Sequence, residues 1–439
     1  MRSKNQLRII DLKASDIREE ISKLRSREAI PSKVDKTVRR IIKDVETSGD
    51  EALLDYTLKL DGAELTQKTL RTSPREIEEA YGRASKEQVS ALKFAKRRIE
   101  RFERAVMKSV THITTKENGV KINRRIMPIK SVGCYVPGGR AVYPSSLLMT
   151  VIPAKVAGVE RIVVTSPPSK EGVIPPLLLV AADICGVDEF YKVGGAQAVA
   201  ALAYGTESVK PVDKIVGPGN IYVTAAKLAV SGAVGIDLPA GPSELLIMAD
   251  ASADAGFVAR DMVSQAEHGY DSVCGLVTDS PELSRKVTDL LSGYMKGVAR
   301  RDIVSDSLNR YGFIALCKDL DQMVEFANLF AAEHLEIMVT DPRSVADNIT
   351  SAGLILLGPY SPSAASDYCV GTNHVLPTGG YARTGSGLSS LAFVKQMDVV
   401  ECSKAGLERL RRPAAVLASS EGLVNHASAL EERFRADAV

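Results

Sequence analysis

Glu333 and His334 are adjacent, a carboxylate beside an imidazole, and that pairing suits proton transfer near neutral pH. An exposed ion pair would use the same two residues, so adjacency leaves both readings open. Downstream, Asp367-Tyr368-Cys369-Val370-Gly371-Thr372-Asn373-His374 crowds a carboxylate, an amide and an imidazole into one segment with neither strand nor helix periodicity. Such polar density points to a functional loop, with an Asx-turn network as the structural alternative. Gln265 and His268 are three residues apart at the end of an expected helix, so they share a face and could hold one metal ion with help from elsewhere. Glu267 would point away. A structural histidine is the competing reading, and glutamine is an uncommon zinc ligand. The chain has five histidines, and His268, His334, His374 and His426 all stand near acids or amides, His426 following Glu421 by five residues.

Six cysteines, at 134, 185, 274, 317, 369 and 402, are scattered without a CxxC pair. They read as reduced thiols of a cytosolic enzyme, so a metal, if one is present, must be held by nitrogen and oxygen. Neither an HExxH helix nor a GxSxG elbow occurs, which removes thermolysin-type proteases and nucleophile-elbow hydrolases. Three glycine-rich turns, Val136-Pro137-Gly138-Gly139, Val193-Gly194-Gly195-Ala196-Gln197 and Val216-Gly217-Pro218-Gly219-Asn220, permit close backbone approach. The last two lead into helix N-termini that can face an anion. The GxGxxG fingerprint is absent, because Tyr222 stands where the third glycine belongs. A cofactor cradle and tight structural turns therefore remain equal readings. Arg97, Arg98, Arg101 and Arg104 read as a solvated helix face rather than a phosphate grip.

The elements that must position these residues follow from patterning. Up to about residue 115 the chain is charge-rich and helical, with capping boxes at Ser73/Glu76 and Ser85/Gln88 starting two helices. In the second, Leu92, Ala95, Ile99, Phe102 and Val106 recur at helical spacing and should be buried. Beyond 120, short β-rich runs at Ser131–Val136, Arg161–Ser166, Glu189–Val193 and Lys214–Val216 alternate with segments of helical composition such as Pro175–Gly186 and Gln197–Tyr204. That is the rhythm of a parallel sheet, whose ligands sit at the carboxyl ends of the strands. It resumes after Asp250 with a helix at Asp254–His268, a strand at Val273–Thr278, a helix at Pro281–Tyr294 and a strand at Gly312–Leu316. Two α/β units are implied, then a mostly helical tail whose Glu421–Arg435 stretch is amphipathic.

Composition bounds the partners. A chain of 439 residues allows several domains at roughly 100–200 residues each. Lys plus Arg number 56 against 54 Asp plus Glu, which provides no general field for nucleic acid or an anionic membrane, so a small-molecule partner is expected. The N-terminal residues lack the apolar core of a secretory signal. The apolar stretch Ser145–Gly158 is interrupted by Pro153 and Lys155 and falls short of the ~20 residues a bilayer span needs.

With these segments assembled, the chain resembles the histidinol dehydrogenases from about Gly49 almost to its end. The resemblance is carried by Val132-Gly-Cys-Tyr-Val-Pro-Gly-Gly139, Val193-Gly-Gly-Ala-Gln-Ala198, Gly217-Pro-Gly-Asn220, Asp237-Leu-Pro-Ala-Gly-Pro-Ser-Glu244, Ser264-Gln-Ala-Glu-His-Gly269 and Gly371-Thr-Asn-His-Val-Leu-Pro377. It implies zinc ligands at Gln265, His268, Asp367 and His426, one ion per subunit, the last ligand reaching in from the other subunit of a homodimer. Glu333 and His334 match the catalytic pair. Ser243, His374 and Glu421 match groups that hold the substrate together with His334 and the ligand set, Glu421 again across the dimer. Tyr135, Gln197 and Asn220 match NAD contacts. The implied fold is α/β, with two incomplete Rossmann-like parallel-sheet domains, a helical N-terminal arm and a small helical C-terminal domain. Its divisions are residues 1–25 for the arm, 26–134 with 243–388 for the catalytic and metal domain, 135–242 for the inserted NAD domain and 389–439 for dimerisation. The expected activity is a cytoplasmic, zinc-dependent, NAD-linked oxidation of histidinol through the aldehyde to histidine. A zinc hydrolase or deaminase without nucleotide, and a non-catalytic binding protein, are the alternatives.

Overall fold

The computed structural model describes residues 7–25, 30–138, 142–238 and 241–435. They divide into two compact units, the first running to Ala105 and then over Ile129–Phe393, the second formed by Val106–Pro128 and the chain from Val394. In chain order the strands begin with β1 (Arg8–Asp11), β2 (Ile113–Glu117), β3 (Val120–Pro128), β4 (Ser131–Tyr135) and β5 (Arg161–Thr165). Next come β6 (Glu189–Tyr191), β7 (Lys214–Val216), β8 (Gly235–Ile236), β9 (Glu244–Ala249) and β10 (Val273–Thr278). β11 (Gly312–Leu316), β12 (His334–Met338), β13 (Leu354–Leu357) and β14 (Val394–Cys402) complete the set.

Two sheets of the first unit are parallel throughout: a five-stranded one in the order β6-β5-β4-β7-β8 and a six-stranded one in the order β1-β11-β10-β9-β12-β13. Every strand expected from the β-rich runs forms, with ends within two residues of the expectation. The six-stranded sheet also contains β1, β9, β12 and β13, which sequence patterning had not picked out. β9 and β12 are buried at every residue; β9 is an apolar run after Glu244, without the alternation that marks a half-exposed strand, while β12 carries His334 and Glu336 inside the core.

Local signals explain the helix starts. Ser73 and Glu76 form their capping box ahead of the helix Pro74–Arg83, and Asp254 caps the helix Ala255–Ala266 by accepting the N–H groups of Gly256 and Phe257. The helix Lys86–Lys108 buries Leu92, Ala95 and Ile99 as expected. Phe102 is a correction: it is exposed, and Glu103 turns inward instead, its Oε2 accepting the N–H and hydroxyl of Ser390 at 2.7 Å each. One oxygen of the buried carboxyl is paired there while Oε1 has no partner, an arrangement that an apolar periodicity cannot register. Arg97, Arg98, Arg101 and Arg104 line the exposed face.

The N-terminal arm is helical over Ile17–Arg25, and before that helix Arg8–Asp11 adds an edge strand to the six-stranded sheet. Residues 1–6 lie outside the described residues, as does Gly139 of the first glycine turn. Arg25 anchors the arm, stacking over the Phe330 ring at 4.0 Å and pairing with the Glu244 carboxylate. The second unit carries the expected tail helices, Lys404–Ser420 and Val424–Arg435, together with an unforeseen antiparallel sheet in the order β14-β3-β2. Arg124 and Asp398 face each other across β3 and β14, Nε to Oδ1 at 2.8 Å.

Under the six-stranded sheet, Phe313 meets Phe326 and Phe330 with ring centroids 6.0 and 5.6 Å away. Replacing Phe313 by Ala empties the middle of that cluster and is expected to cost ~3–5 kcal/mol in urea unfolding. A loss below about 1 kcal/mol would mean the three rings do not form a packed core.

Candidate active site

The reactive residues of the first unit gather at the amino edge of the six-stranded sheet. Ser243 immediately precedes β9, His268 lies between the helix Ala255–Ala266 and β10, and Glu333-His334 opens β12. This corrects the expectation that ligands sit at the carboxyl ends of the strands. The helices that run back along a parallel sheet end beside the strand starts, so Gln265 and His268 are delivered to that edge by their own helix terminus. His268 follows the helix end with Nδ1 3.2 Å from the Gln265 carbonyl oxygen, which leaves its Nε2 turned toward Asp367.

Asp367 stands between two imidazoles. Its Oδ2 is 3.7 Å from Nε2 of His268 and its Oδ1 is 3.8 Å from Nε2 of His334. His334 Nδ1 is in turn 3.8 Å from Oε2 of Glu333, and that oxygen accepts the Glu244 backbone N–H at 2.8 Å. Glu333 and His334 are 6% and 4% exposed, so the pair is no surface ion pair. Burial raises the Glu333 pKa well above the carboxylate range, against the Glu244 hydrogen bond and with help from the charges of Glu244 and Asp367. Burial also pushes His334 down to about 4, opposed by Asp367. Both therefore favour their neutral forms. Neither ring nitrogen of His334 has a hydrogen-bond partner, nor has Nε2 of the buried Gln265. His374 donates from Nδ1 to the Asp367 carbonyl oxygen at 2.9 Å, and its Nε2 lies 3.3 Å from the Ser146 hydroxyl.

The five-stranded sheet keeps the usual polarity, with its glycine turns at the carboxyl edge. Tyr135 ends β4 and its hydroxyl accepts the Gly195 N–H at 3.1 Å. Gln197, in the first turn of the helix Gly195–Tyr204, is fully buried with both amide atoms unpaired. Asn220 caps the helix Ile221–Val230, accepting from Tyr222 and Val223 at 3.0 and 3.2 Å. Gly217, at φ +117°, leaves no room for a Cβ, which would strike the Tyr135 carbonyl oxygen. Its loop is braced from below by Lys227, fully buried, which donates to the Gly217 carbonyl at 2.9 Å and pairs with Asp237, while Asp237 Oδ2 accepts the Gly217 N–H at 2.7 Å. The two edges approach one another where Ser146 meets His374 and where the Asn373 amide donates to the Met149 carbonyl at 2.6 Å.

A family model described as histidinol dehydrogenase matches residues 24–434. The chain belongs to the histidinol dehydrogenase family. It is 49% identical to the histidinol dehydrogenase of Methanothermobacter thermautotrophicus over 91% of this chain and 93% of that one. With the Methanosarcina barkeri enzyme of the same name it shares 46% identity over 96% and 97%. The crystal structure of histidinol dehydrogenase from Elizabethkingia anophelis superposes with a TM-score of 0.92 at 34% identity, covering 100% of both chains. As a family member the chain is a dehydrogenase, an oxidoreductase of histidine biosynthesis acting on a small molecule. The readings as a hydrolase or as a non-catalytic binding protein fall with that membership. Among the described residues no helix is long and apolar enough to cross a membrane.

Of the positions expected from the family, the first unit brings together Gln265, His268, Glu333, His334, Asp367 and His374 at one edge, with Ser243 beside Glu244. Glu421 and His426 belong to the second unit, where both are exposed. Glu421 closes the helix Lys404–Ser420, and Gly422 at φ +76° separates it from the helix that carries His426. All six cysteines are unpaired, and burial pushes the thiols of Cys134, Cys185, Cys274 and Cys317 up to about 12. Sequence reasoning missed Ser146, the Glu244 N–H and the Lys227–Asp237 brace, each of which acts through long-range pairing. The only signal for the brace was a lysine inside the apolar helical stretch Val223–Val230.

Lys227→Met leaves the Asp237 carboxylate buried without its cation and is expected to lower unfolding stability by ~3–5 kcal/mol. The double change Lys227→Met with Asp237→Leu should recover most of that loss in the same denaturation assay. A single variant as stable as the parent would show that the pair does not hold the loop.

Proposed function

We propose that the chain oxidises L-histidinol through L-histidinal to L-histidine in the cytoplasm, using two NAD in succession and a zinc ion in each subunit of a homodimer. The observation that carries this reading is the buried triplet Glu333, His334 and Asp367, two proton-handling groups and a carboxylate within 3.8 Å steps of one another.

The donors fit the metal. Among the described residues no three of His, Cys, Asp or Glu form a metal-holding group by themselves. His268 and Asp367 already face each other, and Gln265, buried with its amide Nε2 unpartnered, would turn its amide oxygen to the ion. His426 would complete a set of nitrogen and oxygen donors from across the dimer. Exposed apolar side chains on the second unit, Val400, Val416, Leu417 and Val424 among them, support a partner that covers them. For NAD, the unpaired amide of Gln197, the Asn220 cap and the glycine turns of residues 135–242 supply polar groups and close backbone approach. When bound, zinc would orient the imidazole and amine of the substrate and NAD would accept hydride.

The chain's own residues then move protons. Neutral His334 takes the proton of the substrate hydroxyl as the carbinol is oxidised, and burial favours the unprotonated imidazole. In the second half, Glu333 first gives up to solvent the proton that burial favours, and its carboxylate then takes a proton from the water that adds to histidinal. Its raised proton affinity makes it a better base than an exposed carboxylate. His334, having passed its first proton to solvent, then deprotonates the hydrate. Ser243, His374 and Glu421 hold the substrate, and the low exposure of Glu333 and His334 limits bulk water at the reacting carbon.

Appearance of NADH absorbance on adding histidinol, abolished by a chelator and restored by zinc, is the expected result. No absorbance change with the metal-loaded protein would refute the reading. His334→Asn should slow both oxidations by ~100-fold or more. Glu333→Gln should spare oxidation of the alcohol while blocking that of the aldehyde, and equal loss of both half-reactions would contradict the division of labour.

A further inference from the structure

Glu336 is a carboxyl that the mechanism does not use, fully buried two residues beyond His334 on β12 and on the same face of the strand. Its neighbours across the sheet, Ile247 of β9 and Leu356 of β13, are apolar. Oε1 accepts the backbone N–H of Ser363 at 2.6 Å, and Ser363 begins the one-turn helix that ends at Asp367. Oε2 is buried without a hydrogen bond of full geometry, and the carboxyl faces that of Asp261. Asp261 lies one turn before Gln265 on the helix Ala255–Ala266. One pair of carboxyls thus touches the three elements that carry Gln265 with His268, His334 and Asp367.

We propose that Asp261 and Glu336 hold a single proton between them and act as positioning residues, clamping the helix Ala255–Ala266 and the turn before Asp367 onto β12. This rests on the reading of Gln265, His268 and Asp367 as metal ligands and His334 as base. With Glu336 fully buried and Asp261 half-buried, ionising both carboxyls side by side is disfavoured, and one proton turns their repulsion into a hydrogen bond. The groups acting on the pair are the two carboxyls themselves and Ser363, through its N–H and hydroxyl. Burial raises Glu336 to about 8, with the charge of Asp261 adding to it, and raises Asp261 to about 6. The clamp is therefore closed at neutral pH and opens as the second proton leaves in alkali.

The sign of the effect gives a test that needs no turnover. Glu336 titrates at its ordinary value of 4.5 in the unfolded chain and near 8 in the folded one. Stability from its proton is complete below the lower value and is lost as pH rises through the upper one. Glu336→Gln keeps an acceptor for Ser363 and a donor for Asp261 but cannot titrate. Melting temperatures of the zinc-loaded dimers should diverge in favour of Glu336→Gln between about pH 5 and about pH 9. Parallel curves would overturn the shared proton, whatever the catalytic assignment. Glu336→Leu removes both contacts and should lower kcat/KM by about tenfold or more and weaken zinc retention, while Glu336→Gln stays within about threefold of the parent. A folded Glu336→Leu protein with parental kcat/KM and zinc content would overturn the positioning role. If that variant does not fold, Asp261→Asn replaces it, with the same melting comparison and an activity near that of the parent expected.

Discussion

A carboxyl and an imidazole 3.8 Å apart in water would titrate close to their ordinary values and attract each other as ions. At the start of β12 the same two groups are almost wholly excluded from solvent, and desolvation drives both toward neutrality. Everything around them answers to that cost. The Glu244 N–H takes one oxygen of Glu333, Asp367 offsets part of the penalty on His334, and Arg25 compensates the Glu244 carboxylate one layer further out. The N-terminal arm, which adds β1 at the far edge of the sheet, ends on that last contact. A segment remote in sequence thereby helps to fix the electrostatics of the acid–base pair.

The opposed polarity of the two sheets has a chemical consequence. One sheet offers glycine turns and helix N-termini, which favour an anionic ligand such as a pyrophosphate. The other offers the end of a helix and the beginnings of strands, where side chains rather than backbone N–H groups must do the binding. Under the proposed function, nucleotide-type and metal-type recognition would use opposite strand ends of the two parallel sheets. The loop 367–374 joins them, because His374 takes the Asp367 carbonyl on one side and meets Ser146 on the other. Lys227 and Asp237 keep the glycine turn rigid, so the distance between the edges is set by framework rather than by loop motion.

Much of this was legible in the sequence, for identifiable reasons. Capping boxes and β-rich runs are local, and the strands at 131, 161, 189, 214, 273 and 312 appear where patterning put them. Long motifs in family order supplied the expected site residues, several of which the first unit gathers at one edge. What local patterning hid was non-local. β9 is apolar after its first residue and carries no period, β12 buries His334 and Glu336 where a period-2 reading would expose them, β1 pairs with a strand some three hundred residues away, and the sheet of the second unit joins 106–128 to the chain from 394. Glu103, Lys227 and Glu336 are charged residues inside buried faces, each meaningful only through its partner. The edge on which the candidate catalytic residues lie was also hidden, because the rule for parallel sheets points to the carboxyl ends of the strands.

Unpaired buried polar atoms are where the structure departs furthest from what stability alone would select. Both nitrogens of His334, the amide of Gln197 and the Nε2 of Gln265 lack partners, as do the hydroxyls of Thr165 and Ser166 at the carboxyl end of β5. Each such group costs ~1–3 kcal/mol, a sizeable share of the stability of a domain. A chain optimised only to stay folded would place apolar side chains at 197 and 265, as it does at nearly every neighbouring position of their helices. The unpaired atoms instead cluster at the two sheet edges where ligands are expected. A ligand that supplies the missing partners recovers the desolvation already incurred, so its binding is favoured and its orientation fixed. Pre-organised deficits of this kind hold reacting groups still without their having to be ordered when the substrate arrives.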